Sequence, residues 1–237
     1  MEHNFSTPNF GQKQLDISHN ISVYLTKVYN WMAVALLITG IVAYFVSDSE
    51  QLIQLIFGNK ILFYGLIIGE IALVGYISAR INKLTTSTAI TLYLIYAILN
   101  GLTLSFIFMV YTSASITSTF IITAGTFGAM SLFGYYTKRD LTKLGNIAIM
   151  ALIGIIIASV VNMFMQSTMM YWIITYVGVL IFVGLVAYDT QKLKRIAVNG
   201  FENEDRMEKS AILGALSLYL DFINLFLFLL RIFGNRK

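Results

Sequence analysis

The chain has 237 residues, of which 57% are hydrophobic and only 12% charged, with a net charge of +4. A soluble domain is roughly 25% charged, so the composition excludes an ordinary soluble protein and points to repeated passage through a bilayer. Cysteine is absent, which excludes disulfides and thiolate metal sites, and the single proline, Pro8, leaves every apolar stretch unbroken.

The first 26 residues are polar and lack the basic-then-apolar layout of a signal peptide. They read as a cytoplasmic tail, with His3 and His19 solvated. Seven apolar stretches follow, near Val28–Val46, Ile61–Ala79, Ser87–Tyr111, Ile116–Tyr136, Gly145–Met165, Tyr171–Tyr188 and Ala211–Leu230. Each has the length that a helix needs to cross about 30 Å of hydrocarbon. None alternates with the period of a strand, and none carries the broad polar face of a surface helix. The reading is an all-α integral membrane protein, with one seven-helix membrane domain over residues 27–234.

Basic residues set the expected orientation. With the N-terminus inside, twelve of the sixteen Lys and Arg residues fall on inner segments. The outer set is Lys60, Arg231, Arg236 and Lys237. The basic C-terminal end argues locally against an outside C-terminus, and a re-entrant last segment would remove that tension. Seven full spans are expected, because Ala211–Leu230 has spanning length and no central Gly or Pro break. Small residues such as Gly125, Gly128, Ala129 and Gly134 are expected to bring helices close together.

Three acids fall within or at the edge of spans: Glu70, Asp189 and Asp221. Such acids are expensive in hydrocarbon and mark functional sites. In the last span Ser210, Gly214, Ser217, Asp221 and Asn224 recur at steps of four and three, so they share one stripe of a helix. That stripe is expected to face the sixth span, where Asp189 would meet Asp221. Two carboxylates in contact share a proton rather than both ionise, and the loss of that proton separates them. Ionised, they offer hard oxygen ligands for a cation such as Ca²⁺. The two positions differ in depth. Contact requires the sixth helix to continue inward past Leu193, or the helices to tilt. Arg80, at the inner end of the second span, is the expected counter-ion. Glu70 needs a partner from another span, and Asn100 is a mid-depth candidate.

No phosphate loop, zinc-protease or nucleophile-elbow motif occurs, so no enzyme activity and no cofactor are expected. No nucleic-acid partner is expected either. The remaining partners are the lipid bilayer and a permeating ion.

Four segments together resemble the Bax inhibitor-1 family, bacterial members above all. They are GEIALVGYISARINKL, LIYAILNGLTLSFIFMVYT, FGAMSLFGYYTKRDL and GVLIFVGLVAYDTQKL. The resemblance implies two three-helix layers around a central C-terminal helix, and a pH-sensitive calcium leak. It further implies that Asp189 and Asp221 form the pH-sensing pair, linked to Arg80, and the same two aspartates are the candidate calcium ligands. Glu70 matches the family's acidic position on the second helix. With Asn100 and Asn224 it is the candidate ion pathway. The resemblance also suggests a bacterial cytoplasmic (inner) membrane as the location. Family members are also described as modulators of membrane proteases or of cell death. The alternative is therefore a non-transporting protein that binds such a complex through its charged inner loop, at Glu202, Glu204 and Asp205.

Overall fold

The computed structural model describes residues 10–237, with side chains from residue 17 onward. His3 and Pro8 lie outside the described residues. The chain forms α1 (Phe10–Ser47), α2 (Glu50–Gly58), α3 (Lys60–Arg80), α4 (Thr86–Leu104), α5 (Ile107–Val110), α6 (Ser113–Tyr136), α7 (Thr142–Met165), α8 (Thr168–Asn199) and α9 (Glu204–Phe233). Seven of these helices are long and apolar enough to span a membrane. This bears out the all-helical membrane class and the seven spans.

Polar residues at the turns define where helices begin. Ser49, Asn59, Thr85, Thr112, Ser167 and Asn203 each accept a hydrogen bond from a backbone N–H of the first helical turn. Such caps satisfy donors that the helix itself cannot. α8 stops at Gly200, whose φ of 75° suits glycine better than any residue with a Cβ.

Two elements differ from the sequence expectation. α1 begins at Phe10, so residues 10–26, read as tail, are already helical. His19 is exposed on that helix, as expected. The nine-residue α2 falls between the first two spans, in a stretch too short to register as a crossing.

The last helix is the most enclosed. In its most apolar stretch 67% of residues are buried, against 6% in α3 and in α7. α9 packs on α1, α4, α6 and α8, whereas α3 packs chiefly on α4. Tyr219 of α9 is fully buried and shares a 2.7 Å hydrogen bond with Thr39 of α1.

Contacts at the ends fix the direction of travel. At one end Lys27 of α1 meets Glu208 of α9 at 2.8 Å, and Trp31 donates to the same carboxylate. Thr86, the first residue of α4, bonds Asp205, and Arg195 of α8 reaches Asp140 in the α6–α7 turn. At the opposite end the C-terminal residues pair with the α5–α6 turn. Thr112 donates to the Asn235 carbonyl at 3.1 Å, and Lys237 donates to that of Val110 at 3.0 Å. α9 therefore runs the full height of the bundle, from the α8–α9 loop to the end that holds the α5–α6 turn. This geometry is that of a full crossing and not of a re-entrant segment.

Candidate functional site

The polar stripe of α9 faces inward as its spacing requires. Ser210 hydrogen-bonds the Tyr24 hydroxyl at 2.9 Å. At Gly214 the Leu193 side chain of α8 lies where a Cβ would go. Ser217 donates to Asp189 at 2.7 Å. Asp221 is 5% exposed and Asp189 9%. The two carboxyl groups face each other closely enough to hydrogen-bond when one of them carries a proton. Asp221 Oδ2 has no other protein partner.

The depth mismatch between the two aspartates is resolved in two ways. α8 continues to Asn199, ten residues past Asp189, so Asp189 sits about 15 Å inside that end of the helix. Ser217, one turn before Asp221, takes up the remaining offset by binding Asp189 directly. α8 is also held tightly from behind. A Cβ at Gly134 of α6 would collide with the backbone of Ala187, two residues before Asp189. Only glycine lets α6 approach there.

Two cavities meet at this contact. One, of about 300 Å³, is lined by Tyr24, Ser78, Asp189, Lys192, Ser210 and Ser217. The other, of about 590 Å³, is lined by Asp189, Ser217, Asp221 and Asn224, with Ile155 and Ser159 of α7 forming its outer wall. Asp189, Lys192, Leu220 and Ser217 belong to both. The Asp189–Ser217 hydrogen bond thus divides a chamber near the α8–α9 loop from a deeper one. Asn224 lines the deeper chamber, but its amide is bound to the Leu220 carbonyl at 2.8 Å.

Arg80 is not brought to the pair. It is exposed at the end of α3 and makes no ion pair among the described residues. Ser78 lines the smaller chamber instead, because residues two apart on a helix point away from each other. The cation near Asp189 is Lys192, three residues along the same helix. Sequence reading passed it over as one of a basic cluster, although its spacing from Asp189 was the available signal.

Glu70 and Asn100 form a separate group. Glu70 accepts a 2.9 Å hydrogen bond from Thr103, which also bonds the Asn100 carbonyl at 3.0 Å. The partner of Glu70 does come from the third span, but one turn beyond the residue expected. Asn100 donates to Tyr96, and its Oδ1 is buried without a protein partner. The candidate pathway residues therefore lie in two places. Asn224 lies beside the aspartates, whereas Glu70 and Asn100 belong to a cluster where α3 meets α4.

No group of three His, Cys, Asp or Glu residues is arranged to hold a metal ion among the described residues. Two carboxylates and a hydroxyl supply fewer oxygens than the six to eight that Ca²⁺ takes. Water would have to complete any shell.

Comparison with known proteins agrees with this architecture. The profile of the family described as "Inhibitor of apoptosis-promoting Bax1" matches residues 21–237. The chain is 53% identical over 218 residues to "Inner membrane protein YbhL" of Escherichia coli K12, covering 92% of this chain and 93% of that one. An uncharacterized protein of Borreliella burgdorferi is 46% identical, covering 90% and 92% of the two chains. Protein RP147 of Rickettsia prowazekii, also uncharacterized, is 43% identical, covering 90% of each. A match over nearly the whole membrane domain, joined to seven spanning helices, makes this chain an integral, multi-pass membrane protein of the Bax inhibitor-1 family.

Proposed function

We propose that this protein is a passive, pH-sensitive cation leak, with Ca²⁺ as the permeating ion and the Asp189–Asp221 pair as its gate. It would act in the bacterial cytoplasmic membrane with its N-terminus inside, without catalysis and without a cofactor. One observation carries this reading: two carboxyls face each other in the most enclosed part of the fold, at the junction of two chambers.

While the pair shares a proton, it ties α8 to α9 and the chambers stay divided. When that proton leaves, two negative charges confront each other where little water screens them, and the pair separates. Lys192 is the cation whose charge acts on Asp189, and the α7 wall facing the pair is apolar apart from Ser159. Lys192 is therefore placed to take up Asp189 once the pair parts, the role the sequence suggested for Arg80. The separated carboxylates and Asn224 then offer oxygens to a partly hydrated cation.

The test is calcium flux into dye-loaded liposomes across a range of pH. Wild type should leak faster as pH rises through the titration of the pair. Asp189→Asn and Asp221→Asn should each flatten that dependence. If both variants keep the wild-type flux and pH profile, the aspartate gate is wrong.

The alternative of a non-transporting modulator has less to draw on. Its contact loop would use acids that already bind this chain's own bases. Glu202 meets Arg206 at 3.2 Å, Asp205 meets Lys209 at 2.7 Å, and Glu204 lies 3.8 Å from Lys27.

A further inference from the structure

A groove that the gate does not use runs between α1 and α6. It encloses about 670 Å³, and its floor is made by Phe127 of α6 and Phe222 of α9. The lining extends from Ser22 to Leu36 on α1 and from Phe120 to Tyr136 on α6. At 1.5 Å per residue these stretches are about 21 and 24 Å long, so the groove reaches from one membrane face past the midplane. It is open sideways: Leu132 and Tyr136 on its rim are 60% and 72% exposed.

The small residues of α6 show that the gap belongs to the packing. Glycines in membrane helices ordinarily let a neighbouring helix come close. Gly134 does so against α8, but a Cβ at Gly128 would meet nothing within 4 Å. The expectation that Gly125 and Gly128 serve contact between helices of this chain is overturned, and the space in front of Gly128 is the groove. The groove opens sideways at the level of the hydrocarbon core, so acyl chains are the medium in front of it.

The two ends of the groove differ. The deep end is apolar, with Leu36 and Phe120. The other end is aromatic, and the basic residues of an adjoining cleft follow it. Tyr29, Tyr135 and Tyr136 line it, as rings do at the level of lipid headgroups. Lys194 lies 4.7 Å over the Tyr135 ring and donates to the Tyr135 carbonyl at 2.7 Å. Lys138 and Arg139 follow within three residues of Tyr136, both exposed and without an ion pair among the described residues.

We propose that the α1–α6 groove holds one acyl chain of an anionic membrane phospholipid, whose phosphate is met by Lys138, Arg139 and Lys194. Charge complementarity selects the headgroup, and the lateral opening onto the hydrocarbon core admits the chain.

The test is native mass spectrometry of the full-length protein after exchange into phosphatidylglycerol or phosphatidylcholine with identical acyl chains. Wild type should retain phosphatidylglycerol in preference to phosphatidylcholine. Gly128→Leu fills the groove without striking protein and should lose the bound lipid. Ala124→Leu, one turn away, blocks the same space and carries the test if the first variant fails to fold. Lys138→Ala with Arg139→Ala should lower the preference for the anionic lipid by roughly fivefold per residue while tail binding remains. Retention of lipid by both blocking variants would overturn the proposal. So would a wild-type dimer that either blocking variant abolishes, since the groove would then hold protein. An unchanged headgroup preference in the double alanine variant would overturn the phosphate assignment.

Discussion

Asp221 and Glu70 are both carboxylates within spanning helices, and the fold surrounds them differently. Asp221 is 5% exposed on a helix that packs against four others. Glu70 is half-buried on α3, the helix whose most apolar stretch is 6% buried, and one threonine hydroxyl of α4 meets it. A charge inside a membrane is tolerated where protein or water encloses it. The enclosure of Asp221 is therefore structural as well as chemical, since four helices must stay in place to provide it. Glu70 needs only α4. By burial, α3 is one of the two least enclosed spans.

The largest effect should come from loosening the frame around the pair without touching either acid. Gly134→Leu would push α6 off the Ala187 backbone and move α8, with Asp189 on it. Backbone cannot yield as a flexible side chain can, so the cost should reach the upper end of overpacking, about 3 kcal/mol or more. Folded yield and the thermal midpoint in detergent report it. A wild-type midpoint would mean that the α6–α8 contact does not position Asp189.

Ser217→Ala comes next. It removes the hydroxyl that bridges the offset between the two aspartates. A lost hydrogen bond to a buried carboxyl costs about 1 to 3 kcal/mol. The variant should melt earlier, and its flux should start at a different pH from wild type. Early melting with an unchanged flux profile would leave Ser217 a packing residue.

Some of this contrast was legible in the chain, and the reasons are specific. The stripe Ser210, Gly214, Ser217, Asp221 and Asn224 was readable because helical spacing is fixed within one element. The meeting of Asp189 with Asp221 was expected from two acids flanking one loop and from the family resemblance. Arg80 was misplaced because the direction of a side chain at a helix end depends on how the whole helix is rotated, which spacing within that helix does not reveal. Thr103 was missed because threonine is common in these spans and draws no notice beside Asn100. Gly128 and Gly134 look alike in sequence. One faces a groove and the other faces a backbone, and only the positions of α1 and α8 separate them.

Thr103→Val tests the weaker side of the comparison. It removes the hydrogen bond to Glu70 and keeps the side-chain shape. Hydrogen bonds between membrane helices average about 0.6 kcal/mol, and Glu70 is only half-buried, so the stability change should be about 0.5 to 1 kcal/mol, below that of Ser217→Ala. Equal losses from the two variants, measured in parallel by thermal unfolding, would erase the distinction between the enclosed acid and the peripheral one.

Asp140 supplies the smallest effect and a reference for acid outside the membrane. It lies fully exposed in the α6–α7 turn, where the Thr142 hydroxyl, the Thr142 backbone N–H and Arg195 hold its carboxyl down at about 2. In the unfolded chain the group titrates near 3.9, roughly its ordinary value. A carboxylate depressed on folding contributes stability that is fully present above the unfolded value and lost as pH falls through the folded one. The contribution is modest, because water and salt screen an exposed pair. Asp140→Asn should therefore melt slightly below wild type at pH 5 and above, and the two should converge as pH approaches 2. A gap that persists unchanged at pH 2 would show that Asp140 acts through packing and not through charge. Convergence would account for the acid limb of stability at this turn, and pH dependence surviving in Asp140→Asn would belong to other titrating groups, Asp205 and Glu208 among them.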